Sequence, residues 1–421
     1  MASAKKNFYL SALSRMISVA ASILIVPFLL EILGNEEYGL WVTLTSIVGF
    51  IGLLNFGFGN SIRNTVSKMQ ITNEEEVRNE FVGYFKLLFK VALVCVLITL
   101  VFIGHLEINE ELRASIIFLY IPILLSIPLL FGGGVLQGAF KSGIHAVIQG
   151  SVGWMFLIFV LFVYKFQGSV NAYHLALVWG GLFWLTSAVI FKKALDIVGL
   201  KISNLHKLLK GNKRNQRWKI GFSFFLLQMS SIFLYGIGNL LIYNNLGANQ
   251  TASYDTINKL FQAILSFYSI VIGVMWSEIA KLIGYGDGVE LRKIFYKLIA
   301  LASMFSIFAF MLGVFGPTIV GQWTSGKIEI YSHESLAMAF LVSVQAFAYI
   351  GAVFMNAFEK LNVQILLSVV MMIMIIPLCI VGFKLNYGIA TVPIVSGVLT
   401  FLSMIYFNCY SYLLIKGVKS E

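Results

Sequence analysis

The chain has 421 residues, 59% hydrophobic and 12% charged, with a mean hydropathy of +0.87 and a formal net charge of +11. Soluble domains are about half apolar and about 25% charged, so this composition excludes a soluble enzyme, a secreted disulfide scaffold and a disordered chain. The apolar runs are continuous rather than alternating, which also excludes a membrane β-barrel.

A membrane-spanning helix needs about 20 apolar residues, and the chain offers twelve such runs. Behind a short N-terminus with Lys5 and Lys6, the first run is too long for a signal peptide and reads as a span, Phe8–Leu33. Leu40–Ile62, Val82–Gly104, Ala114–Gly138, Ile144–Phe166 and His174–Phe191 complete a first half. Ile220–Leu246, Ala252–Ala280, Ile294–Gly316, Leu336–Ala357, Val363–Leu385 and Ala390–Ile415 form a second. The longest polar stretches, Lys192–Lys219 and Pro317–Ser335, are too short to hold a globular domain. The expected fold class is an all-α polytopic membrane protein of about twelve transmembrane helices. These form two pseudo-symmetric six-helix bundles, residues 1–205 and 206–421.

With the N-terminus in the cytoplasm, 25 of the 30 Lys and Arg fall on inner segments and the helix ends touching them, and four fall outside. That asymmetry predicts a multi-pass protein of the bacterial cytoplasmic (inner) membrane with both termini cytoplasmic. The basic excess is thereby assigned to topology, and no nucleic-acid partner is expected. Leu33-Gly34 recurs as Leu246-Gly247, 213 residues later, and Glu76-Val77-Arg78 recurs as Glu290-Leu291-Arg292. Two halves of like topology imply parallel repeats, a design in which transporters place a site between the halves.

Catalytic constellations are absent from the sequence. His105, His145, His174, His206 and His333 are isolated, and no Gly-rich phosphate loop ends in Lys-Ser/Thr, so neither an enzyme nor a metal or cofactor is expected. Cys95, Cys379 and Cys409 lie in apolar runs at unrelated spacings and read as small buried residues. Gly49, Gly52, Gly57 and Gly59 read as close helix packing.

Charges inside apolar runs are costly unless they face protein or water. Arg15 shares the first helix with a polar stripe of Asn7, Ser11, Ser14, Ser18 and Ser22; the alternative for Arg15 is snorkelling to the cytoplasmic headgroups. The second helix carries Thr45, Gly49, Gly52, Phe56, Gly59 and Arg63, with Asn55, Asn60 and Asn64 beside them. Gln228, Ser231, Tyr235 and Asn239 mark the seventh. On the eighth, Asp255, Lys259, Gln262, Ser266, Ser269 and Gly273 follow at steps of three and four, and Asp255 precedes Lys259 in the better order for an ion pair. That pair is either functional or a structural tie between helices. Helices 3, 9, 10 and 11 look more uniformly apolar. The expectation is a central cavity lined by helices 1, 2, 7 and 8, with Arg15, Lys259, Arg63, Gln262 and Asn239 binding substrate and Asp255 as the ion-coupling candidate. Glu278 is either a partner of Arg63 or Lys281 or an interfacial carboxylate. Cations among neutral hydrogen-bonding groups suit an anionic, sugar-bearing substrate.

The segment Leu29-Leu30-Glu31-Ile32-Leu33-Gly34-Asn35-Glu36-Glu37-Tyr38-Gly39-Leu40-Trp41, followed by Gly57-Phe58-Gly59-Asn60-Ser61-Ile62-Arg63-Asn64, resembles the first hairpin and second-helix end of bacterial polysaccharide exporters. These are the O-antigen flippases of the multidrug/oligosaccharidyl-lipid/polysaccharide (MOP) exporter superfamily. The resemblance extends over the whole chain in length, helix count and two-half layout. It implies a V-shaped pair of six-helix bundles. It also implies translocation of an undecaprenyl-pyrophosphate-linked oligosaccharide by alternating access, driven by a cation or proton gradient. Membrane lipid and the polymerase and glycosyltransferases of the same pathway are the implied partners. The alternative within the superfamily is a multidrug/cation antiporter, which would need buried carboxylates. A membrane glycan polymerase would need a larger outer loop than Pro317–Ser335.

Overall fold

A computed structural model describes residues 2–67, 74–105, 107–166, 170–201, 218–358 and 360–418, and every regular element within them is helical. The elements are α1 (Ala2–Leu53), α2 (Phe58–Ser67), α3 (Glu74–His105), α4 (Glu110–Leu130), α5 (Gly132–Gly138), α6 (Ser142–Lys165) and α7 (Ala172–Val198). They continue as α8 (Trp218–Tyr235), α9 (Gly238–Leu246), α10 (Ala248–Tyr285), α11 (Gly288–Trp323), α12 (Ser332–Ala357), α13 (Leu361–Lys384), a 3-10 turn (Gly388–Ala390) and α14 (Thr391–Gly417). Among the described residues nine stretches are long and apolar enough to cross a membrane. This is the expected all-α polytopic membrane fold, and each of the twelve predicted spans lies in one helix or in a pair of consecutive helical pieces.

The repeated Leu-Gly pair is a backbone device. Gly34 has φ 76° and ψ 174°, and Gly247 has φ 88° and ψ 177°. This region is closed to residues with a Cβ. Each glycine therefore reverses the chain between two helices with a single residue, at equivalent points of the two halves.

Three expectations need correction. The second span is not continuous, because helix stops at Leu53 and resumes at Phe58. Phe56 (φ 50°) and Gly57 (φ 70°) make the turn, and the Asn55 side chain accepts from the Gly57 N–H at 2.8 Å. Gly57 thus serves a turn rather than helix packing, while Gly49 and Gly52 have open space where a Cβ would stand. A Cβ on Gly59 would make only ordinary contact, 3.8 Å from the Phe131 Cα, and the glycine that close packing requires here is Gly134 of α5, whose Cβ would collide with the Gly59 carbonyl. The seventh span also breaks, between α8 and α9, where Ile237 keeps a right-handed φ of −77°. Of the cysteines only Cys379 is buried, with Cys95 half-buried and Cys409 exposed. Lipid tails are as apolar as leucine, so an apolar run in a membrane helix does not imply burial in protein. Lipid-facing Leu97, Ile98, Val101 and Phe102 on α3 illustrate the point.

The chain divides into two compact units, Met1–Leu33 with Leu44–Met229, and Gly34–Thr43 with Ser230–Glu421. In the first, α4 and α7 pack closely at Gly180, where a Cβ would stand 2.5 Å from the Phe118 carbonyl oxygen. Here also α1 lies on α6, where the Ser14 hydroxyl donates to the Ala146 carbonyl at 2.8 Å. The second unit is built around α12, whose Gly351 meets Phe407 of α14 and whose Ser335 meets Gly316 of α11. The hairpin tip 34–43 belongs to this unit. Gly39 abuts the backbone of Ala248, and the Asn35 amide donates to the Lys327 carbonyl at 2.7 Å.

Candidate functional site

The second unit contains a buried ionic cluster on α10. Asp255 and Lys259 stand one helical turn apart, and the Lys259 ammonium lies 2.6 Å from Asp255 Oδ2. The same oxygen accepts from the Tyr38 hydroxyl at 2.8 Å, and that hydroxyl in turn accepts from Lys259 at 2.9 Å. Asn239 of α9 donates to the other oxygen, Oδ1, at 3.0 Å and reaches the Val42 carbonyl at 3.4 Å. Sequence explains how these four meet. The Gly247 hinge folds α9 back on α10, which sets Asn239 beside Asp255. Gly39, with no side chain, lets the hairpin tip approach Ala248 closely enough to bring Tyr38 in.

The electrostatics follow from burial. Tyr38 is fully buried, and an ionised carboxylate in such surroundings costs several kcal/mol unless it is paired and hydrogen-bonded. Lys259 supplies the charge, and Tyr38 and Asn239 satisfy the remaining lone pairs. The pair is asymmetric, since the Lys259 side chain is 25% exposed and that of Asp255 8%. The Lys259 ammonium is therefore the more accessible end of the pair. The Asn239 Oδ1 atom is buried without a hydrogen-bond partner among the described residues.

Asp255, Lys259 and Asn239 thus come together as one cluster. Gln262 is half-buried one turn further along and makes no hydrogen bond to it among the described residues. Ser266 and Ser269 spend their hydroxyls on carbonyls of α10. Arg15 and Arg63 belong to the first unit. Arg15 is exposed and makes no ion pair among the described residues, while Ser14 and Ser18 of its stripe turn toward Gly150 on α6. Arg63 is exposed on α2 and donates to the Gln137 side chain at 3.3 Å. Glu278 is exposed. The side chains of Asn7, Asn60, Asn64 and Lys281 lie outside the described residues, as do residues 202–217 of the basic central segment.

Sequence reasoning missed two further buried carboxylates, Glu80 and Glu334. Glu80, on the first turns of α3, is 5% exposed. Its Oε1 accepts from the Tyr84 hydroxyl at 2.5 Å and from the Ser61 hydroxyl at 3.3 Å, and no cation is paired with it among the described residues. Phe58 stacks on Tyr84 at 4.4 Å, and Phe81 and Phe131 meet at 4.9 Å, so aromatic rings wall the site. The available signal was the i, i+4 spacing of Glu80 and Tyr84 beside apolar Val77 and Phe81.

No family model matches the chain. A "Putative O-antigen transporter" of Salmonella typhi is 23% identical over 296 residues, 65% of this chain and 64% of that protein. A "Putative O-antigen export protein" of Yersinia pseudotuberculosis is 34% identical over 62 residues, 15% of this chain and 14% of that protein. The matched stretches span less than two thirds of the length of these relatives. Among solved structures, a MATE protein in complex with MaL6 superposes with a TM-score of 0.67 at 11% identity, over 99% of this chain and 97% of that one. An inward-facing multidrug resistance MATE family transporter of the MOP superfamily gives 0.66 at 12%, over 96% and 95%. A MOP superfamily transporter from Pyrococcus furiosus, described as having a binding pocket of reverse polarity, gives 0.64 at 12%, over 99% and 97%. The chain has the fold of the MATE transporters of the MOP superfamily and is similar in sequence to proteins named as O-antigen transporters.

Proposed function

We propose that this protein is a flippase that carries an undecaprenyl-pyrophosphate-linked oligosaccharide, the repeat unit of an O-antigen or related surface polysaccharide, across the bacterial cytoplasmic membrane. It works by alternating access, with both termini in the cytoplasm, and serves the polymerase and glycosyltransferases of the same pathway. The substrate class rests on the likeness to O-antigen transporters. The observation that carries a coupled transport mechanism is the Asp255–Lys259 pair, buried with Tyr38 and Asn239 in a membrane-spanning bundle.

In this mechanism the Asp255 carboxylate and the substrate's pyrophosphate compete for the Lys259 ammonium. With Asp255 ionised, Lys259 is held and the site rejects a second anion. Proton uptake by Asp255 frees Lys259 to take a phosphate oxygen, and proton loss recaptures it and releases the lipid. Arg15 makes the first contact with the pyrophosphate, with Arg63, Gln262 and Asn239 as further binding groups. A charge moved through the membrane field is worth about 2.3 kcal/mol per 100 mV, sufficient to bias such an exchange.

A second reading, multidrug or organic-cation antiport, is favoured by one specific observation: Glu80 is a buried carboxylate without a paired cation among the described residues. Reconstitution separates the two. In proteoliposomes under an imposed pH gradient, the flippase reading predicts movement of a labelled undecaprenyl-pyrophosphate oligosaccharide, with no gradient-driven uptake of organic cations. Cation uptake without glycolipid movement would reverse the assignment.

A further inference from the structure

A second site in the first unit has charges that no described contact uses. A cavity of about 190 Å³ is lined by Leu136 of α5, Lys141 in the turn to α6, Ile144 of α6, and Lys193, Asp196 and Ile197 of α7. Lys141, Lys193 and Asp196 are all exposed and form no ion pair with one another or with any described residue. Three charges around a cavity, unpaired among the described residues, suit an occupant that carries both signs. The first turn of α6 opens at the same place, where helical N–H groups lack intrahelical acceptors and favour an anion. The remaining lining is aliphatic.

We propose that this cavity binds the headgroup of a phospholipid that bears a primary amine, as in phosphatidylethanolamine. The phosphate sits between Lys141 and Lys193 at the N-terminus of α6. The ammonium donates to the Asp196 carboxylate, and the acyl chains leave along Ile144 and Ile197. Asp196 sets the selectivity. The glycerol of phosphatidylglycerol offers it neutral hydroxyls in place of an ammonium, and the methylated amine of phosphatidylcholine has no N–H to give it. A lipid, rather than a soluble phosphate compound, is indicated by the neighbouring Phe140. It is 73% exposed at a φ of 57°, uncommon for a bulky residue, and follows the span Ala114–Gly138 on the side that the proposed orientation makes cytoplasmic, where aromatic residues are enriched at the interface. In the orientation proposed above, the site opens to the inner leaflet, where basic pockets between helices hold headgroups.

The test is native mass spectrometry of the full chain in detergent, titrated with phosphatidylethanolamine, phosphatidylglycerol and phosphatidylcholine of identical acyl chains. Wild type should retain phosphatidylethanolamine about tenfold more tightly than the other two, the ratio one charge-assisted hydrogen bond supports. The double variant Lys141→Ala/Lys193→Ala should lose about tenfold in that affinity. Asp196→Asn should keep lipid binding but lose the preference over phosphatidylglycerol. Equal retention of all three lipids by wild type, or an unchanged double variant, would overturn the proposal. Displacement of the lipid by free phosphoethanolamine at matched concentration would also overturn it, by assigning the cavity to a soluble ligand. None of these outcomes depends on what the protein transports.

Discussion

Each unit buries one carboxylate against a tyrosine hydroxyl, and the two are compensated in different ways. Asp255 has a lysine one turn away, a tyrosine and an asparagine, and uses both of its oxygens. Among the described residues Glu80 has the hydroxyls of Tyr84 and Ser61, both directed at one oxygen, within an aromatic wall. The first arrangement holds a fixed ion pair whose cation is reachable from outside. The second holds a lone acid that stays tolerable only through hydrogen bonds. The difference teaches that burial of a carboxylate does not by itself define a coupling site. What distinguishes the Asp255 cluster is a paired cation whose side chain is 25% exposed.

The comparison is broken most severely by Lys259→Met, which makes the Asp255 site resemble that of Glu80. It leaves a buried carboxylate uncompensated and should destabilise the second unit by about 3–5 kcal/mol, measured by denaturant titration in detergent. Tyr38→Phe removes a hydroxyl that donates to Asp255 and accepts from Lys259, and should cost about 2 kcal/mol in the same titration. Glu80→Gln sharpens the contrast from the other side. The amide keeps an acceptor for Tyr84 and Ser61 and removes the buried charge, so stability should change by less than about 1 kcal/mol. A loss as large as that of Lys259→Met would mean that Glu80 has a charged partner after all.

Much of this was legible in the sequence, because some signals are local. Gly34 and Gly247 announce themselves as a repeated Leu-Gly pair, and their shared backbone geometry is the physical reason for the repeat. Asp255 and Lys259 are one turn apart on one helix, so their pairing follows from spacing alone. Tyr38 did not, because it arrives from a hairpin tip 217 residues away, and only the close approach at Gly39 makes the contact possible. Glu80 was obscured by Glu74, Glu75 and Glu76, which make the start of α3 look like a solvated charged end. The breaks within the second and seventh spans were hidden for a related reason. Gly57 and Gly236 lie in runs whose hydropathy continues through the turn, and hydropathy carries no information on where a helix stops. Arg15 shows the converse limit: its polar stripe is real, but Ser14 and Ser18 serve the seam between α1 and α6.

The central claim is that the Asp255–Lys259 pair is a working part of transport and not a structural tie. The measurement that tests it most directly is surface-glycan export by the double variant Asp255→Asn/Lys259→Met, with membrane protein level read in parallel. Removing both charges together avoids the stranded ion of the single variants, so the double variant should accumulate at close to the wild-type level. The account predicts that it nevertheless exports no glycan. Export by the folded double variant at the wild-type rate would contradict the account and reduce the pair to a structural tie.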